Sequence, residues 1–135
     1  MAKRNTHTID QEVTFEAHQE LVSVTDVRGV ITYANDIFCD VAGYHQDELI
    51  GKNHNIVRHP DMPKAAFADM WAKLEAGQPW RGAVKNRCKD GRYYWVDAFV
   101  TPQFTGDKLT GYQSVRTVLK PKYKANAQTL YQQIN

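Results

Sequence analysis

Apolar residues change their spacing several times along the chain, and each change marks an element. In "ELVSVTDVRGVITYAN" (20–35), β-branched residues crowd positions 21–25 and 30–34 on either side of "DVRG". Two such runs around a turn with glycine predict an antiparallel hairpin. Asn35 then caps a short helix over "DIFCDVAGY" that stops at Gly43. "HQDELIGK" predicts a further helical turn ended by Gly51. From Pro63 the spacing becomes helical. Phe67, Met70, Trp71 and Leu74 share a stripe, and "EAGQPW" ends it. Asp61, just ahead of Pro63, is placed to cap that helix.

Three strands follow, over 81–88, 93–101 and 110–119, joined by "KDG" and "TGDK". Turns this short make neighbours antiparallel. In the middle strand Tyr94, Val96, Ala98 and Val100 share one face; Tyr93, Trp95, Asp97 and Phe99 share the other. The first face tapers to a small residue at Ala98, which suits a wall that leaves room for something. The second spends Trp and Phe, so it is expected to be covered. "HTIDQEVTFEA" reads as a short amphipathic helix capped by Asp10, and either it or a partner is the expected cover. The polar tail after Pro121 reads as helix or linker.

Two strands, a block of short helices and three more strands make an α+β domain. It has a five-stranded antiparallel sheet, short helices on one face and an N-terminal cap helix. The expected division is cap 1–20, domain 21–119 and C-terminal linker 120–135.

Composition narrows the function. At 135 residues the chain is long enough for one domain. The net charge of +2 comes without a basic block, which disfavours nucleic acid. Cys39 and Cys88 form neither a disulfide framework nor a metal spacing, which fits a reducing compartment. "MAKRNTHTID" lacks the apolar core of a secretory signal, and no apolar run reaches membrane-spanning length. A cytoplasmic location is expected. No nucleophile–base pair or metal triad is visible, so a sensor is expected and not an enzyme.

The hairpin, "YANDIFCDVAGYHQDELIGKN", the helix after Pro63, and "KNRCKDGRYYWVDAFVTP" closing on "GYQSVRT" together resemble a PAS domain over roughly 22–118. "NHNIVRHPDMPKAAFADMW" with "GQPWRGAVKNRCKDG" is more specific. It resembles the N-terminal sensor of bacterial aerotaxis receptors. That resemblance implies non-covalent FAD and redox or oxygen sensing. It also implies a chemoreceptor signalling module, C-terminal in the same longer protein and anchored at the inner membrane. A homodimer through the outer sheet face or the cap is a further implied partner. FAD over FMN rests on the resemblance alone. Light-sensing relatives carry G-x-N-C-R, whose cysteine forms a photoadduct. Here "GKNHN" places His54 at that position, so no thiol adduct is expected. Arg116 matches their contact glutamine, and Asn86 keeps their asparagine.

On this resemblance "RHPD" becomes a clamp for the phosphate end. Arg58 supplies a fork and the following helix a dipole. His59 reaches a phosphate or the adenosine. Asp61 orients Arg58 or His59, or accepts from a ribose hydroxyl. Pro60 and Pro63 stiffen the loop beforehand. The residues alone support equally a plain capped loop in which Arg58 pairs with Asp61. Trp80 packs on the cofactor or plugs the core mouth. Asn86 offers an amide to a flavin edge, or satisfies a neighbouring strand. Phe67 and Trp71 read first as core and second as contacts, and Asn35 completes the candidate set. Haem through His54 or His59 is the rival ligand, and a ligand-free interaction module the rival function. The expected switch runs from Asn86 and Arg116 through the three-stranded meander to Trp95 and Phe99.

Overall fold

A computed structural model describes residues 7–134. Strands β1 (Leu21–Asp26) and β2 (Ile31–Ala34) form the first hairpin. Helices α1 (Asp36–Ala42) and α2 (Gln46–Leu49), a tight helical turn (His54–Val57) and α3 (Lys64–Glu75) follow. Strands β3 (Trp80–Arg87), β4 (Tyr93–Thr105) and β5 (Lys108–Val118) lead into α4 (Pro121–Ile134). The sheet order is β2-β1-β5-β4-β3, antiparallel throughout. The last strand therefore sits between the first hairpin and the second. No helix is long and apolar enough to cross a membrane, among the described residues.

Local chemistry sets the element ends. Asn35 accepts from Phe38 N at 3.0 Å and from Val22 N at 3.0 Å, so one side chain starts α1 and ties it to β1. Gly43 closes α1 at φ 78°, a left-handed position that other residues enter at a cost. Gly111 answers a different need. A Cβ there would stand 2.0 Å from Thr25 O, so the absence of a side chain lets β5 lie against β1. Leu21, Phe38, Leu49, Leu74, Tyr94 and Val96 are fully buried between the helices and the inner sheet face. Leu21, Phe38, Leu49, Leu74 and Val96 contribute roughly 1.5–3 kcal/mol each by leaving water.

Four expectations change. No N-terminal helix forms in the described part of the cap. Ile9 N and Val13 N instead donate to Gly91 O and Tyr93 O, both at 2.7 Å, and Gln11 O accepts from Tyr93 N. β-branched Ile9, Val13 and Thr14 suit this extended path better than a helix. The sheet's outer face is covered in part by α4. Tyr131 stacks on Trp95 at 6.4 Å and donates to Ala83 O at 2.6 Å, while Phe99 stays 44% exposed. Asp61 does not cap α3, because Pro63 holds the N-cap position and the Asp61 carboxylate turns to Lys85 Nζ at 2.9 Å. Finally, β4 runs on through Pro102 to Thr105. Its pairing with β3 ends at Val100, so the missing N–H of Pro102 falls where that flank is already open.

Candidate functional site

Between α3, the loop 53–58 and the inner sheet face lies a cavity of about 340 Å³. That is the lower end of the range for small-molecule sites, roughly 300–1,000 Å³. Strand alternation supplies the back wall. Val84 and Asn86 come from β3, Ala98 and Val100 from β4, Tyr112, Ser114 and Arg116 from β5, and Ser23 and Thr25 from β1. Helix α3 supplies the facing wall through Phe67, Met70, Trp71 and Leu74.

The floor is a buried cation without an acid. Arg116 is 2% exposed. Its Nη2 donates to Ser23 Oγ at 2.8 Å and its Nε to Leu21 O at 3.3 Å. Its Nη1 lies 3.2 Å from His54 Nε2, and its guanidinium sits 4.1 Å over the Phe38 ring. No carboxylate pairs with it among the described residues. Burial alone brings its pKa down to about 10, so it remains charged at neutral pH. Burial, then the Arg116 charge, pushes His54 down to about 3. The imidazole is therefore neutral, and Nε2 must be the acceptor toward the guanidinium, which leaves the ring proton on Nδ1.

Trp80 opens β3 and places its buried indole in the cavity lining. Its Nε1 donates to Asp69 of α3 at 2.9 Å. Gly82 makes room for it, since a Cβ there would lie 2.5 Å from the indole ring. Arg58 lies over the Phe67 ring at 4.2 Å, and its backbone bridges to Asn86. Trp71 meets Tyr112 edge-on at 5.3 Å.

The cavity thus gathers His54, Arg58, Phe67, Trp71, Trp80, Asn86 and Arg116. Asn35, His59 and Asp61 lie outside its lining. Asn35 is spent on α1 and β1. His59 is 4% exposed, and its Nδ1 accepts from Asp61 N at 3.0 Å. Burial first, then the Lys85 charge, takes its pKa down to about 4. The "RHPD" run therefore divides: Arg58 faces the cavity, while His59 and Asp61 face β3 and β4. No three His, Cys, Asp or Glu side chains converge as a metal site among the described residues.

Sequence reasoning missed Ser23, Thr25, Arg28, Asn53, Asn55 and Ser114, which also line the cavity. Alternation from Leu21 would have placed Ser23 and Thr25 inward. Nothing local flags Arg28, a turn residue. It reaches the cavity because Asn53 Nδ2 holds Arg28 O at 3.2 Å.

A family described as the PAS fold matches residues 31–116. The sequence is 51% identical to the aerotaxis receptor of Escherichia coli (strain K12), over 85% of this chain and 23% of that protein. It is 40% identical to the nitrogen fixation regulatory protein of Klebsiella pneumoniae, over 60% of this chain and 16% of that protein. The chain spans less than a quarter of the length of either relative. Among solved structures, one reported under "Flavin Analogue Sheds Light on Light-Oxygen-Voltage Domain Mechanism" superposes with a TM-score of 0.73 at 23% identity. It covers 85% of this chain and 89% of that one.

Proposed function

We propose that this chain, which belongs to the PAS fold family, is the redox-responsive sensory domain of a longer aerotaxis-type receptor and holds FAD non-covalently in the cavity. The observation that carries the reading is Arg116. A buried guanidinium met only by neutral groups is costly unless something else brings negative charge or strong acceptors. A flavin ring edge, with its carbonyl oxygens and ring nitrogens, is such a partner.

The cavity fits the ring end. Its walls are aromatic and aliphatic, as a flat heterocycle requires, and its polar groups converge at one end. The phosphates and adenosine then belong at the rim, beside Arg58 and the exposed Arg28. In this assignment Asn86 and Arg116 hold the ring edge, His54 and Ser23 hold Arg116, and Trp80 and Trp71 exclude water. The chemistry that a bound flavin supplies is reversible electron uptake, with a change of charge and protonation at that edge. Arg116 and Asn86 respond through altered hydrogen bonds. Strands β3–β5 carry the shift to the outer face, where Trp95, Phe99 and α4 lie. The signalling module C-terminal to this domain is then biased between two states.

The similarity to the aerotaxis receptor supports the sensory role and a flavin in preference to haem. So does His54, whose Nε2 already faces Arg116 and Ser23 and is not free to ligate iron. The test is the visible spectrum of freshly purified protein, with heat release and chromatography of any chromophore. FAD in near-equal ratio to protein is the expected result. A Soret band, or a colourless protein that refuses added FAD, overturns the reading. Receptor output across redox conditions in Asn86→Ser then tests the switch; unchanged signalling with FAD bound removes Asn86 from it.

A further inference from the structure

Strand β4 outruns β5 at one end. Their pairing stops at Val96 and Val118, yet β4 begins at Tyr93. The N-terminal segment takes the edge that β5 leaves. Tyr93 N donates to Gln11 O at 3.1 Å, and Val13 N donates to Tyr93 O at 2.7 Å, so this strap runs parallel to β4 at Glu12. Val13 and Phe15 anchor it by packing against the core.

Glu12 stands in the middle of that bridge, and its carboxylate pairs with Lys124 Nζ of α4. The two side chains are 27% and 28% exposed, so the joint is partly covered. Helix α4 needs such a partner. Lys122 and Lys124 lie in its first turns, the end of a helix where positive charge is unfavourable, and no acid occurs along 121–134. Fourteen residues are marginal for a helix on its own. Among the described residues of α4 only Ala127 is buried, and its other tie to the sheet is Tyr131, two turns further on.

We propose that the strap is a latch that holds α4 on the sheet, with Glu12 as its catch on Lys124. Loss of the catch frees the start of α4 while the sheet stays closed. The latch joins the two ends of the domain at Tyr93, whose ring also meets His59 edge-on at 6.3 Å and Lys85 Nζ at 4.5 Å. A displacement of β4 there reaches α4 through the strap. Neither Glu12 nor Lys124 lines the larger cavity, so the latch stands whether or not that cavity holds FAD.

The test is amide hydrogen exchange on the full 135-residue chain, compared between α4 and strands β3 and β4. Glu12→Gln is expected to speed exchange in α4 about threefold, and Glu12→Lys, which sets two ammonium groups face to face, about tenfold. Lys124→Glu alone should act in the same direction. The double variant with exchanged charges, Glu12→Lys with Lys124→Glu, should return α4 to within about threefold of the unsubstituted chain. Exchange in β3 and β4 is expected to stay as it was. Unchanged exchange in α4 of Glu12→Lys, a double variant no slower than either single one, or an equal rise throughout the sheet overturns the proposal.

Discussion

Nη1 of Arg116 lies 3.2 Å from Nε2 of His54, so the charge at the floor of the larger cavity is answered by a neutral ring and not by a carboxylate. The pair works only while the imidazole stays unprotonated, since a second positive charge there would face the guanidinium directly. This makes His54 a constraint on the pH range of the fold.

That constraint has a definite sign. The folded pKa values of His54 and His59, about 3 and about 4, lie below the ordinary 6.5. Below pH 6.5 the unfolded chain binds more protons than the folded one. The stability these rings carry is thus complete above pH 6.5 and declines as pH falls toward the folded values. At pH 5 the loss is about 2 kcal/mol per histidine. Urea unfolding at pH 7.5 and pH 5 measures it, and His54→Gln is expected to flatten the difference by about half.

Gly82 holds space for the Trp80 indole. Gly82→Ala is expected to tilt that ring, break its bond to Asp69 and cost about 2 kcal/mol. Tryptophan fluorescence should shift to the red as the indole, 5% exposed in its present place, meets more water. Unchanged fluorescence and stability would show that the indole is not confined by β3.

A harsher outcome is expected at Gly111. A methyl there meets the Thr25 carbonyl, which is backbone and cannot swing aside. Gly111→Ala should cost about 3 kcal/mol or more and weaken the β1–β5 pairing. Hydrogen exchange at Ser23, Thr25 and Ser114, whose backbone faces the other strand of that pair, reads the pairing from both sides.

Tyr131→Phe removes one hydroxyl, the donor to Ala83 O, and keeps the ring on Trp95. A loss of about 1 kcal/mol is expected. The loss should appear as faster amide exchange in α4 with the sheet unchanged. Exchange that rises equally in β3 and β4 would mean that the helix and the sheet open as one unit.

Much of this was legible because it is written in short-range code. Asn35 and Gly43 mark the ends of α1 by their own chemistry, and the alternation in 93–100 placed Trp95 outside and Ala98 inside. What escaped depends on distant encounters. The extended path of Ile9 and Val13 exists because Tyr93 offers its backbone, which no reading of residues 7–17 reveals. Asp61 has the composition of a cap, yet Lys85, 24 positions away, takes its carboxylate. Arg28 enters the cavity through Asn53, 25 positions on. Ser23 was the nearest miss: its neighbours show its face, but a serine on a strand does not announce that it holds an arginine.

The position of β5 between the two hairpins also governs when the domain becomes competent. Arg116 and Leu21, joined across the centre of the sheet, are 95 residues apart in the chain. As the polypeptide emerges from the ribosome, β1 waits with an open edge until the other four strands of this domain have been made. The slow, long-range closure that pairs β5 with β1 is also the event that delivers Arg116 to its floor. A truncated or stalled product therefore lacks both the seal of the sheet and the charge that defines the cavity. Assembly and capacity to hold a ligand arrive together, with the final strand.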